Sequence, residues 1–283
     1  MIEYPAILGR RRDYPPCTIT VRDTLFYALS LGCGSDPTNP SELRFVIERE
    51  LTALPTMACV IGAHSIKDLD LGIDYSKVVH GEQSLQLFKP VPSYGTFGCT
   101  VEVESVLDRG PEKGAIINLR RALRYGSTGE VLAQSLMTLF CRGDGGFGGP
   151  PPPAGTPHFT PNRPPDAVFE QQTLPQAALL YRLNGDMNPL HADPDVAARA
   201  GFDRPILHGL ATFGMVARAI VMNLCNGHAS RLQRLRARFR APVYPGDLLR
   251  TEMWREGGDV DFRTSVVNRS CLVLEDGRAG LTG

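Results

Sequence analysis

No stretch of this sequence approaches the ~18 consecutive apolar residues that a membrane-spanning helix requires, which sets a membrane-embedded role aside. An excess of charge is missing too. The 30 basic and 30 acidic residues cancel, so no global field draws the chain to nucleic acid or to an anionic membrane. Only a local basic patch for a phosphorylated ligand stays open. The opening residues, MIEYPAILGRRRDYPP, lack the continuous apolar region of a secretory leader. The last four, Gly280-Leu281-Thr282-Gly283, are not a peroxisomal Ser-Lys-Leu ending. Cytoplasm is the expected compartment. Among the seven cysteines (Cys17, Cys33, Cys59, Cys99, Cys141, Cys225, Cys271) there is no C-x-x-C pair. They read as reduced, mostly buried thiols of an intracellular protein.

What is present is apolar material, 42% of 283 residues, enough for one large domain or two of about 140. The pattern favours two. Residues 18–31 read as a helix, with Thr20 or Asp23 as cap and Gly32 as stop; residues 55–64 read as a second, more buried one. From Val78 the period changes. Residues 84–89, 100–104, 116–125 and 131–142 alternate as antiparallel strands with one buried face. Then GDGGFGGPPPPAGT, residues 143–156, places ten Gly or Pro among fourteen residues, which excludes a helix or a central strand. It reads as a flexible-then-stiff tether.

The second half repeats the plan. Asp193-Pro194 opens a short helix over 194–200, closed by Gly201. Residues 208–225 are apolar nearly all round, the mark of a buried helix. Residues 234–241 alternate arginine with apolar side chains, and Gly257-Gly258 joins two strands, 248–255 and 260–268, in a hairpin. Phe88-Lys89 and Gly95 recur as Phe239-Arg240 and Gly246 at one common offset, a faint internal repeat. The expected organisation is an α+β chain with units at 1–142 and 158–283 and a linker at 143–157.

Chemistry concentrates in one stretch of the second unit, YRLNGDMNPLHADPDVAARAGFDRPILHGLATFG, residues 181–214. Asp186 stands five residues before His191, with the turn formers Gly185, Asn188 and Pro189 around them. A carboxylate and an imidazole on one turn can divide the acid and base roles on a single water. Further on, His208-Gly209-Leu210 opens the apolar helix, where free backbone N–H groups can face an anion. Ordinary turn and capping chemistry would produce the same residues, so spacing alone leaves both readings open.

The run Tyr181-Arg182-Leu183-Asn184-Gly185-Asp186-Met187-Asn188-Pro189-Leu190-His191 resembles the signature of MaoC-type, (R)-specific 2-enoyl-CoA hydratases (hydratase 2). The resemblance extends to Leu43-Arg44-Phe45-Val46, Ala53-Leu54-Pro55-Thr56, His80-Gly81-Glu82-Gln83, Gly145-Gly146-Phe147-Gly148-Gly149 and Ala237-Arg238-Phe239, nearly the whole chain. It implies a double hotdog, two antiparallel sheets each wrapped around a long central helix. It implies hydration of trans-2-enoyl-CoA without metal or redox cofactor, coenzyme A being part of the substrate, and commonly a homodimer. Asp186 and His191 would be the acid–base pair, Asn188 would orient the water or the carboxylate, and the Gly209 N–H would hold the thioester oxygen. His80, Gly81, Phe239 and, within the run, Met187, Pro189 and Leu190 would contact substrate or coenzyme. Arg109 or Lys113 would meet the coenzyme phosphates. The first unit lacks any Gly-Asp-x-Asn-Pro-x-His run, so one active site per chain is expected.

Several points stay open at this level. His208 reads equally as a helix-start histidine satisfied by backbone. Arg109 and Lys113 also fit a solvated hairpin tip, and the arginines of 234–240 the wet face of a strand. Arg120 and Arg121, adjacent on a strand, point to opposite faces. One of them either reaches the acyl or coenzyme cavity, which would suit a carboxylated or polar chain, or faces solvent. A hydratase or dehydratase dedicated to a branched, steroid-side-chain or dicarboxylic acyl group is the nearest alternative. A hotdog thioesterase, a metal hydrolase using His191, Asp193 and His208, and a non-catalytic acyl-CoA-binding subunit are the competing readings.

Overall fold

The computed structural model describes residues 2–62, 65–126, 128–153 and 160–282. In the first half, strand β1 (Arg11–Ile19) leads into helix α1 (Val21–Ser30) and the short α2 (Pro40–Leu43). Strands β2 (Val78–Leu87), β3 (Gly95–Asp108), β4 (Ala115–Tyr125) and β5 (Val131–Cys141) follow. The second half runs β6 (Ala167–Gln172), α3 (Ala177–Tyr181), α4 (Pro194–Arg199), α5 (Gly209–Leu224), β7 (Leu232–Phe239), β8 (Leu248–Glu256), β9 (Asp259–Val266) and β10 (Cys271–Leu281). No helix among the described residues is long and apolar enough to cross a membrane.

All ten strands form one sheet in the order β1-β3-β4-β5-β2-β7-β10-β9-β8-β6. Counted outward from the β2–β7 seam, each half presents its own second, fifth, fourth, third and first strand. The faint repeat of the sequence is therefore a repeat of topology. The two sheets expected are one, because β2 and β7 pair antiparallel from Glu82 opposite Arg238 to Gln86 opposite Arg234. That pairing removes two free edges at once.

Helix α5 lies against the sheet with Phe213, Ala217, Ile220 and Val221 fully buried. The first half has no helix of that length among the described residues: the expected buried helix over 55–64 is a 3-10 turn, Pro55–Cys59, followed by Gly62 at φ +63°. Its last two residues, Ala63 and His64, lie outside the described residues. Residues 18–31 also divide differently. Thr20 and Asp23 form a reciprocal capping box that starts α1 at Val21, and the chain before it is β1. Pro15 and Pro16 fall where β1 breaks register against β3, which an edge strand tolerates.

The glycine part of the expected tether is not loose. Gly146 and Gly148 donate their N–H groups to the Asp108 carboxylate, both at 2.8 Å, which holds the carboxyl below its ordinary range. The end of the expected linker, 154–157, lies outside the described residues. One core cluster draws on both halves, from Tyr27 and Leu54 to Phe213 and Phe262. Inside it the Glu42 carboxylate, on α2, pairs with the Arg218 guanidinium on α5, both almost fully buried.

Candidate active site

Gly185 ends a short 3-10 turn at φ +115°, a backbone that favours glycine. The chain then doubles back, and Asp186 accepts the Asn188 N–H at 3.2 Å. Asn188 in turn caps the 3-10 turn Pro189–His191: its side-chain oxygen accepts the Leu190 N–H at 3.1 Å. So the backbone of Asn188, not its amide group, orients the carboxylate, while its side chain fixes the turn that carries His191. Asp186, Met187, Asn188 and Pro189 are exposed, Leu190 is half-buried and His191 is buried.

His191 Nδ1 lies 2.8 Å from the Ile206 carbonyl. A carbonyl only accepts, so Nδ1 carries the proton and Nε2 keeps its lone pair. Burial lowers the His191 pKa, which favours the neutral ring with its Nε2 lone pair free. His208, 1% exposed, stacks on His191 with ring centroids 3.7 Å apart and donates from Nε2 to the Asp186 carbonyl at 3.1 Å. Burial, then the neighbouring His191, pushes its pKa down to about 4. His208 is thus more than a histidine satisfied at a helix start: it ties the Asp186 turn to the His191 ring. Tyr181 packs against its other side at 5.0 Å. Neither contact could be read from spacing; the only signal was that both residues fall in the informative stretch.

His208 sits at the N-cap of α5 and its side chain caps no N–H. The N–H groups of Gly209 and Leu210, which a helix cannot satisfy internally, stay available for a ligand oxygen. A methyl group at Gly209 would lie 3.2 Å from Phe239 Cε1, and Phe239 packs against His80 at 4.8 Å. His80 donates from Nε2 to the Glu82 carbonyl at 3.1 Å, and burial pushes its pKa down to about 4, with Asp186 close enough to oppose the shift. Asp186, His191, His208, Gly209, Phe239 and His80 therefore form one continuous cluster, joined across the β2–β7 seam. Gly81 is next: a side chain there would strike the Phe140 ring, and the Arg109 guanidinium lies 5.9 Å above that same ring. Lys113 is exposed on the β3–β4 turn. Of the two cations, Arg109 is the one built onto the cluster's side.

Asp186, His191 and His208 offer ligand atoms within 4.8 Å of one another. The metal reading invokes Asp193 instead, but its carboxylate caps α4 through the N–H groups of Asp195 and Val196.

The arginines resolve by face. Arg121 donates to the carbonyls of Ala58 and Ile61, closing the 3-10 turn of the first half. Arg120 pairs with Glu104 on the outer face. Neither is a cation for an acyl chain. Arg234, Arg236, Arg238 and Arg240 pair with Asp259, Glu82, Glu275 and Asp276 across the outer face, so they form its wet side rather than a phosphate clamp.

Comparison with known proteins divides the chain the same way. Residues 157–276 match the family described as MaoC like domain, and residues 17–143 that described as MFE-2 hydratase 2 N-terminal domain. The chain is 38% identical to enoyl-CoA hydratase 2, peroxisomal, of Arabidopsis thaliana, over 91% of this chain and 88% of that protein. It is 37% identical to peroxisomal multifunctional enzyme type 2 of Mus musculus, over 91% of this chain but only 36% of that longer protein. The crystal structure of a MaoC-like dehydratase from Phytophthora capsici superposes with a TM-score of 0.88 at 31% identity, covering 99% of each chain. A Mycobacterium tuberculosis protein described as a double hotdog superposes at 0.60 with 18% identity, over 96% of this chain and 95% of that one, a likeness of fold.

Proposed function

The chain belongs to the MaoC-like hydratase 2 family, and from that premise we propose that it catalyses the reversible, (R)-specific hydration of trans-2-enoyl-CoA to (3R)-3-hydroxyacyl-CoA. The observation that carries this reading is the His191 ring, held through Nδ1 on the Ile206 carbonyl and grouped with the Asp186 carboxylate beside the uncapped start of α5. In this reading the attacking water is held between carboxylate and imidazole. As its oxygen bonds C3, His191 Nε2 accepts a proton and the C2=C3 π pair moves into a thioester enolate. The Gly209 N–H holds the enolate oxygen. A proton passed across the Asp186–His191 pair reaches C2, and both groups return to their starting state.

In this reading the double hotdog has units at 1–142 and 158–283. The shared strand order of the halves supports it. His80, Gly81 and Arg109 come from the first unit and face the coenzyme, while the second unit supplies the chemistry. Every residue invoked comes from one chain, so the homodimer that the family resemblance implies is not needed to complete the site. With Arg121 spent on the carbonyls of Ala58 and Ile61, nothing in the cluster favours a carboxylated acyl group over a plain one.

The test is the absorbance of the enoyl-thioester band with crotonyl-CoA and with a long-chain trans-2-enoyl-CoA, in wild type and Asp186→Asn. Loss of the band in the wild type, and at least about 10²-fold slower loss in the variant, is expected. Release of free thiol while the band persists would make the chain a thioesterase and sink the proposal.

A further inference from the structure

The mirrored strand order gives each end of the β2–β7 seam a counterpart at the other. At the catalytic end stand Gly81 on β2, Phe239 on β7 and the start of α5. Their counterparts are Leu232 on β7, Phe88 just past β2, and Pro55, which starts the first half's 3-10 turn. The catalytic turn has a counterpart as well. Asn39 caps α2 by accepting the Ser41 N–H at 3.0 Å and is followed by Pro40, as Asn188 caps with Leu190 and is followed by Pro189. Three residues after Asn188 comes His191; three after Asn39 comes Glu42, which turns into the core and pairs with Arg218. The acid–base chemistry is gone from this end.

The cleft is not. A cavity of about 140 Å³ opens there, with Pro55, Phe88 and Leu232 in its wall together with Arg44, Lys89 and His228. Arg44 donates to the Gly227 carbonyl at 3.3 Å and to His228 Nδ1 at 3.2 Å, neither of them a carboxylate. Its Nε is buried and unpartnered, and among the described residues no carboxylate pairs with it. Lys89 adds a second cation, shared with Glu130 at 3.0 Å, and the Phe88 ring is 46% exposed beside it. A guanidinium with spare donors and no counter-ion is suited to a phosphate, and an exposed ring gives a planar base a stacking surface. The cavity is small, so the base would lie outside it, across Phe88.

We propose that this vestigial cleft is a second, non-catalytic site for a phosphorylated small molecule, with the phosphate on Arg44 and, for a nucleotide, the base on Phe88. The site stands apart from the hydration chemistry and does not depend on it.

Isothermal titration of the full chain with adenosine 3′,5′-bisphosphate and with inorganic phosphate tests the site, alongside Arg44→Gln and Phe88→Ala. Melting temperature and enoyl-CoA hydration rate serve as controls. The wild type should take two nucleotides, one in each cleft. Arg44→Gln should weaken one of the two sites, and the inorganic phosphate site, by about tenfold or more. Phe88→Ala, at an exposed position, should keep the wild-type melting temperature and weaken nucleotide but not inorganic phosphate. Inorganic phosphate binding lost in Arg44→Gln, with all nucleotide binding of the wild type kept in that variant, would support a site for the free anion. Wild-type titration by both variants, or a wild type that binds no inorganic phosphate and no nucleotide that Arg44→Gln weakens, would overturn the proposal. Hydration rates should match wild type in both variants whichever ligand occupies the cleft.

Discussion

Acid should loosen this protein before its carboxylates begin to titrate, and the cause lies in the histidines clustered around Asp186. Burial holds His80 and His208 at about 4, against 6.5 for a free imidazole. Both shifts are downward, so between pH 6.5 and about 4 the unfolded chain binds protons that the folded chain refuses. Stability is therefore full above 6.5 and falls as pH drops through that window. Going from pH 7 to pH 5, each group costs about 2 kcal/mol by this linkage, about 4 kcal/mol for the pair. For a chain of this size that is a fall in Tm on the order of 10 °C. Few carboxylates titrate above pH 5, so the imidazoles dominate the interval. The assay is thermal melting at pH 7, 6 and 5 for the wild type and His80→Gln, whose amide can still donate to the Glu82 carbonyl. The variant should lose about a third to a half of the pH-dependent fall, since His191 is shifted down as well. A wild-type Tm that stays level down to pH 5, or a variant with the same slope, would refute the assignment of buried, neutral imidazoles.

Gly209→Ala should leave Tm unchanged or slightly raised, since alanine favours a helix. The new methyl, 3.2 Å from Phe239 Cε1, displaces the helix start or the ring, and kcat/KM for enoyl-CoA should fall by about 10–10²-fold; equal kinetics would argue that no thioester oxygen docks there. Arg218→Met strands a buried Glu42 carboxylate and should cost about 3–5 kcal/mol, read by urea unfolding. Adding Glu42→Gln should return a good part of it, because the amide oxygen of the new side chain can still accept the Gly34 N–H that Glu42 holds at 2.8 Å.

The candidate catalytic stretch was legible because its parts are close in sequence: Asp186, His191 and Gly209 fall within one turn–helix segment whose turn formers and apolar run announce their geometry. Helix α5 and strands β4, β8 and β9 were legible for a similar reason, each carrying a clean period over its own length. Strand β1 was not, because Pro15-Pro16 suppress a strand reading and only an edge position admits them. β10 was hidden by register breaks at Glu275 and Gly277, which interrupt its alternation. The arginines show the deeper limit. Alternation places Arg120 and Arg121 on opposite faces, but not what each face meets, and the answer for Arg121 lies in carbonyls some sixty residues away. The same holds for the seam. Nothing local to residues 78–87 or 232–239 says that these two strands pair, yet that pairing sets His80 beside Phe239 at one end and Phe88 beside Leu232 at the other. A chain built from a duplicated unit acquires two clefts from one contact. The first half carries Glu42 where the second carries His191, yet a cavity opens at its end of the seam, because the cavity is walled by the paired strands and not by the turn.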